Sequence, residues 1–458
     1  MVAVAAIGLP LALPAQAAIT VGCSPDAGTR VSDLIAAVDG ANETGGADTI
    51  TLSAGCTYSF TASNQIASPD PSRFNWYGPS ALPHVTSEIT VEGSGAIVER
   101  SPSATTAFRL AYVGAGPETG FHSPGAGALT LRNLTVSGFL ARGGAGADGG
   151  GGGGGFGGAI FSQGRLVLDA VTLTGNTARG GSSGPAAGQK AGGGMGTAAQ
   201  GDTYGAGGGF GPGSFGGAAG GIGSESPGWS GGGGGGFSPA DNGADAVGGV
   251  AGAGGGAPSG TGGAGASYLA EGGPGGNGAG GGGGANIAGF SPSRGDGGAF
   301  GRGGLGGQSG GGGGVGGGGG ASVTRGGSGG GFGGGGSGGA HGGGGGFGGG
   351  GGGSTAEMND GGPQVPGGFA GGASSYGLGG GGAGLGGAVF NHKGILTITN
   401  STFAGNAAEG GAGGLGTPPR SGFPGSGLGG AVFNLNGTVT AGFTTIAGNS
   451  AAQGGGGI

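Results

Sequence analysis

Gly157-Gly158-Ala159-Ile160-Phe161 leads into Leu166-Val167-Leu168 and then Val171-Thr172-Leu173-Thr174-Gly175-Asn176. The same order returns as Gly386-Gly387-Ala388-Val389-Phe390, Leu396-Thr397-Ile398 and Ser401-Thr402-Phe403-Ala404-Gly405-Asn406. It returns once more as Gly429-Gly430-Ala431-Val432-Phe433, Val439-Thr440-Ala441 and Thr444-Thr445-Ile446-Ala447-Gly448-Asn449. A degenerate copy precedes these at Leu129-Thr130-Leu131 and Leu134-Thr135-Val136-Ser137-Gly138. Each unit holds about three short strands over about 20–25 residues, the period of a stacked solenoid. Alternation along a strand sends Leu166, Leu168, Leu396 and Ile398 inward and the residue between each pair outward. Equivalent positions of successive units then lie one strand spacing apart, about 4.8 Å. Phe161, Phe390 and Phe433 are expected to form an aromatic file, and Asn176, Asn406 and Asn449 to stack at a turn. There the amides bond one another and the neighbouring backbone, and Asn also tolerates left-handed conformations. Three aligned copies with one internal order weigh against chance matches in low-complexity sequence.

Between the units lie insertions, at about residues 180–385 and 409–428. Both enter after the Asn turn and leave before the next Gly-Gly-Ala, as loops on one edge of a solenoid do. The long one has no helical or strand period, and Phe156, Phe210, Phe215, Phe237, Phe332, Phe347 and Phe369 recur irregularly in and before it. Two states suit such a sequence. One is a flexible, largely disordered lobe. The other is a set of packed, left-handed segments with three residues per turn, bonded to one another as in polyglycine II.

Glycine supplies 152 of the 458 residues. Its uneven runs exclude collagen, which requires Gly at every third position with abundant Pro. Charged residues make up 8% and the net charge is −7. No basic face is available for nucleic acid or an anionic membrane surface. Val2 to Leu13 is an apolar run, and Ala15-Gln16-Ala17 fits a small-x-small cleavage site. Residues 1–17 therefore read as an export signal without a basic start, the alternative being a buried N-terminal strand. No later apolar run is long enough to predict a transmembrane helix. Cys23 and Cys56 are expected to pair in an exported chain, the alternative being two unpaired thiols. The closed loop of about 33 residues makes that bond worth about 3–4 kcal/mol.

Val31, Leu34, Ile35 and Val38 form one apolar stripe and predict a helix of about 12 residues, ended by Asn42 to Gly46. Short β-branched and aromatic runs follow at Thr49–Leu52, Tyr58–Thr61, Glu88–Val91, Ala96–Val98 and Phe108–Leu110, divided by turn residues. Such punctuation predicts an all-β fold. Gly456-Gly457-Ile458 opens a further unit with no polar cap after it, so a truncated chain is expected.

The Gly-Gly-Ala-Ile/Val motif together with Phe403-Ala404-Gly405-Asn406 resembles the repeat of polymorphic outer-membrane proteins. More widely it is similar to bacterial parallel β-helix repeat proteins of the pectin-lyase-like superfamily. The stretches Asp33 to Val38, Asp48 to Leu52 and Ile89 to Arg100 resemble the capping region of those proteins. The resemblance implies an all-β, right-handed parallel β-helix (solenoid) with an N-terminal capping helix and long Gly-rich loop insertions. The domain reading is 1–17 signal peptide, 18–142 cap and first coils, 143–181 one coil, 182–385 Gly-rich insertion and 386–458 further coils.

That superfamily includes pectate lyases and polygalacturonases, which need clustered carboxylates for Ca²⁺ or a carboxylate pair across the scissile bond. On the repeat units only Asp169 and Glu409 are acidic, and Arg132 and Arg165 are isolated. No catalytic residue, cofactor site or metal site is assigned. Gly143 to Asp148 opens like a Ca²⁺-binding nonapeptide, but Gly150 stands where an apolar residue is needed and no second copy follows. His341 sits in pure Gly context, and His84, His122 and His392 suggest no ligand set. Arg294-Gly295-Asp296 reads as a chance tripeptide. Trp76, Tyr77 and Tyr112 are candidates for a sugar-binding face and are better read as covering the cap. The expectation is a non-enzymatic, exported cell-surface or extracellular structural or adhesin-like protein, with cell-envelope or extracellular polysaccharide or protein as the class of partner. The alternative is a polysaccharide-binding or pectate-lyase-like protein.

Overall fold

The computed structural model describes residues 18–44, 46–64, 78–114, 125–188, 190–199, 318–319, 326–354, 365–416 and 421–457. The expected signal segment, Trp76, Tyr77, His122, Phe210, Phe215, Phe237 and the Arg294 to Asp296 tripeptide lie outside these residues. The described chain is predominantly β with one helix, Ala27–Thr44. Its strands form a ten-stranded sheet, two four-stranded sheets and a three-stranded sheet. Every ladder between these strands is parallel.

Units distant in sequence meet as neighbours. Leu166 is in register with Leu129 on one side and Leu396 on the other, and Leu396 with Val439. Leu173 is likewise flanked by Val136 and Phe403, and Phe403 by Ile446. Leu166, Leu168, Leu396, Ile398, Leu173 and Phe403 are fully buried. Val167 and Thr397, between them along the strand, are half-buried on the outer face. This is the pleat acting on the sequence alternation. Each buried Leu contributes roughly 1.5–3 kcal/mol relative to exposure.

A unit carries four strands, or five where the third is split in two, not three. In the first unit these are Gly155–Phe156, Ile160–Ser162, Arg165–Thr174 and Thr177–Arg179. The first and last are too short to leave a period in the sequence. The third bends at Ala170, whose φ is 54°, and Asn133, Asn400 and Phe443 bend equivalent places at 51°, 49° and 52°. At the next turn Asn176 Nδ2 donates to Asn406 Oδ1 at 2.9 Å, and Asn406 Nδ2 donates to Asn449 Oδ1 at 2.8 Å. The backbone N–H groups of Asn176 and Asn406 donate to the same two oxygens. Gly175, Gly405 and Gly448 precede these residues at φ 63°, 64° and 63°, where a side chain would be strained.

The N-terminal end is closed by the helix. The Asp26 carboxylate accepts from the Thr29 N–H at 2.6 Å and caps it. Leu34, Ala37, Val38 and Ala41 are buried beneath it. The helix is 18 residues long, longer than the stripe alone predicted, because the capped turn at Ala27 and a polar end at Thr44 extend it. Cys23 and Cys56 are joined in a disulfide, which ties the helix entry to the adjoining strands. One strand differs from expectation: Ala111–Val113 pairs with Ile160–Ser162, whereas Phe108 to Leu110 lies before it.

Candidate functional site

Two apolar cores exist, and the aromatic file marks their boundary. Ile160, Val389 and Val432 belong to the core enclosed by the sheets. The next residues along those strands, Phe161, Phe390 and Phe433, lie on the other face and join Phe156, Met195, Leu385, Phe332 and Phe347 in a second core. The file therefore lies outside the strand core, not within its interior, since adjacent residues of a strand face opposite ways. Tyr112 heads it, in register with Phe161. Tyr112 meets Phe161 edge-on at 5.7 Å, and Phe161 meets Phe390 edge-on at 4.8 Å. Phe390 and Phe433 are stacked at 5.8 Å.

The second core is roofed by glycine-rich chain. Insertions leave after Leu140–Arg142, Thr177–Arg179 and Ala407–Glu409, which are neighbours in one sheet. They return at Gly155–Phe156, Gly384–Leu385 and Gly427–Leu428, neighbours in another. The described parts of these insertions form one hydrogen-bonded bundle. Gly151, Gly152 and Gly153 donate to three different segments, at Gly336 (2.8 Å), Gly380 (2.9 Å) and Gly144 (2.8 Å). Their carbonyls accept from three more, at Gly193, Gly350 and Gly181. Successive peptide groups pointing to three sides are the signature of a helix with three residues per turn, and such a helix makes no internal bonds. A methyl carbon added at Gly152 would lie 1.9 Å from the Gly181 oxygen, and one at Gly380 would lie 1.9 Å from the Gly372 oxygen. Only glycine permits this approach. Residues 143–154, grouped with a coil in the sequence reading, belong to this bundle.

Polar groups fill the seam where the bundle, the stack and the 78–87 loop converge. Tyr112 Oη donates to Gln163 Oε1 at 2.7 Å, and Gln163 Nε2 lies 2.6 Å from His392 Nδ1. With Gln163 Oε1 occupied by the tyrosine, its amide is the donor, so His392 accepts at Nδ1 and is neutral. Phe332 of the bundle packs on the His392 ring at 4.7 Å. Burial first, then the Lys393 charge, pushes His392 down to about 4. His84 packs edge-on against Tyr112 at 5.2 Å. Burial first, then the Arg109 charge, holds it well below the ordinary imidazole range. Arg109 is buried too: Nη2 donates to the Phe156 carbonyl at 2.9 Å, and the guanidinium lies 5.7 Å from the Phe161 ring centre. Burial pushes it down to about 9.

Three buried ionisable groups in one seam would suggest chemistry, yet Arg109 and His392 are engaged in joining the bundle to the stack, and His84 packs on the Tyr112 ring. Arg109 satisfies the carbonyl of Phe156, where the chain comes out of the bundle into a strand. The Tyr112–Gln163–His392 chain crosses three layers. Sequence reading dismissed His84 and His392 as scattered. The missed signal was the register: once Phe161 and Phe390 are aligned, Ser162 falls beside Asn391 and Gln163 beside His392. Among the described residues no group of three or more His, Cys, Asp or Glu could hold a metal ion. No described helix is long and apolar enough to cross a membrane. Asp148, of the nonapeptide-like stretch, is engaged by Lys190 at 3.0 Å. Compared with protein-family models, curated proteins and solved structures, the chain matches none.

Proposed function

We propose that this chain is a right-handed parallel β-helix of the pectin-lyase-like type that serves as an exported structural or adhesin-like protein at a bacterial cell surface or beyond it. The observation that carries the reading is the glycine bundle seated along one edge of the parallel stack. A lobe held by backbone hydrogen bonds, with its aromatic underside locked to the strands, is a rigid projection. The Cys23–Cys56 disulfide fits a non-reducing compartment outside the cytoplasm. Arg109 and His392 of the seam are engaged in holding the lobe, which favours a scaffold over a reacting centre. Partners of this surface are extracellular or envelope polysaccharides or proteins.

Antibody labelling of intact, unpermeabilised cells, before and after external protease, tests the reading. Labelling that protease removes is the expected result, and a signal seen only after lysis contradicts it. Incubation of the purified protein with pectin and uronates, with and without Ca²⁺, tests the polysaccharide-degrading alternative. The expected result is no unsaturated product, and release of such product overturns the scaffold reading.

A further inference from the structure

A second file of side chains runs through the corner that precedes the long strand of each unit. Val113, Ser162, Asn391 and Asn434 are register partners there. They point inward, since each stands two residues after Ala111, Ile160, Val389 or Val432 of the strand core. Asn391 Nδ2 donates to Asn434 Oδ1 at 2.7 Å and to the Gly394 carbonyl at 3.1 Å. Asn434 Nδ2 donates to the Gly437 carbonyl at 2.8 Å. Each amide thus closes its own turn, and the pair forms a ladder of the kind seen at Asn176, Asn406 and Asn449.

The ladder stops at Ser162. Its turn is one residue shorter, because Ser162 pairs with Asn391 while Arg165 already pairs with Ile395. The shorter turn carries serine where the others carry asparagine. Two polar atoms face this break. Asn391 Oδ1 and Ser162 Oγ belong to fully buried residues on adjacent strands, and neither has a hydrogen-bond partner among the described residues. Asn391 cannot turn its amide round to relieve this, because the Gly394 carbonyl and Asn434 Oδ1 would then face an oxygen.

We propose that this corner is a binding site for one structural water molecule, which donates to Asn391 Oδ1 and bonds Ser162 Oγ. Serine offers only a hydroxyl where the ladder has an amide, and the water takes the place of the missing amide group. The site is polar and offers partners on two strands, as a buried water requires. Two neutral oxygens are too few for Ca²⁺, which takes about six to eight. On the opposite face of the same two layers, Gln163 Nε2 meets His392 Nδ1 directly. The water supplies the inner counterpart of that bond. The two layers that flank the insertion at about 180–385 are then joined by polar bridges on both sides. The inference does not depend on where the protein resides, so its failure is distinct from that of the surface-protein reading.

A high-resolution crystal structure of the full chain should show a solvent peak about 2.7–3.2 Å from both atoms. Ser162→Asn should replace that water with an amide that donates to Asn391 Oδ1, extending the ladder by one rung. It should shift the unfolding equilibrium about fivefold towards the native state in denaturant titration. Ser162→Ala takes away one partner of the water and should shift it about as far the other way. Oxygen-17 magnetic relaxation dispersion should count one long-lived internal water fewer in Ser162→Asn than in the native chain. A direct bond between Ser162 Oγ and Asn391 Oδ1 in the native crystal overturns the proposal. So does a metal ion at the corner, or an equal count of internal waters in the native chain and Ser162→Asn.

Discussion

The strand stack and the glycine bundle lie against each other and solve the same problem by opposite means. In the stack, parallel ladders set the spacing while Leu, Ile, Val and Phe fill the space between sheets. In the bundle there are few side chains to fill anything. Segments approach until carbonyls sit where a Cβ would be, and peptide groups satisfy one another on three sides. The stack therefore tolerates changes on its outer face and fails when its interior is hollowed. The bundle fails when anything is added. Residues such as Phe390, buried between the two, belong to both.

That contrast yields its largest expected effect at the seam. Phe390→Ala removes a ring touching Phe161, Phe347, Phe433 and Phe156. It should cost about 3–5 kcal/mol by denaturant titration, with exchange rising first in the bundle. Loss of the disulfide through Cys23→Ser or Cys56→Ser should cost about 3–4 kcal/mol, with the increase in exchange confined to the N-terminal end.

Next comes the comparison that separates the regions. Gly152→Ala should destabilise by about 1–3 kcal/mol or more, since the clashing atom is backbone. Thr172→Ala, on the outer face of the stack, should stay within about 0.5 kcal/mol. Equal effects in a thermal-melt comparison would mean that the bundle is not close-packed. Asn406→Ala lies between the two kinds of change. It strands the Asn176 N–H and the Leu173 carbonyl, at roughly 1–3 kcal/mol for each unsatisfied group.

The smallest effect is the response to acid. His84 and His392 have folded pKa values below the unfolded value, so the unfolded chain binds protons first. Stability is thus fully present above about pH 6.5 and declines as pH falls towards 4. His392→Gln should flatten part of that decline, by roughly 1–3 kcal/mol at pH 4. A profile unchanged by this substitution would remove His392 from the seam.

Much of the stack was legible before any coordinates. The Gly-Gly-Ala-Ile/Val-Phe order and the inward Leu alternation depend on local pattern, and the cysteine pair was expected from the reading of an export signal. The side of the strand taken by the phenylalanines was not legible, because the reading gave them a file of their own without assigning it a face, although each directly follows an inward Ile or Val and so points the other way. The bundle was legible only as one of two states, since a run of glycines has no side-chain period to choose between them. The Tyr112–Gln163–His392 chain could not be found by motif. Its members come from three layers, with 229 residues separating Gln163 from His392.

The most direct test of the account places nitroxide labels on two outward positions that the register makes adjacent. Val167 and Thr397 are direct partners across the parallel ladder. In the double variant Val167→Cys/Thr397→Cys, made in a chain whose native disulfide is intact, the labelled side chains start from strands about 4.8 Å apart. The account predicts strong dipolar broadening of the spin-label spectrum, lost on unfolding and absent from both single variants. Spectra of the double variant that equal the sum of the two singles would show that the repeat units do not lie together.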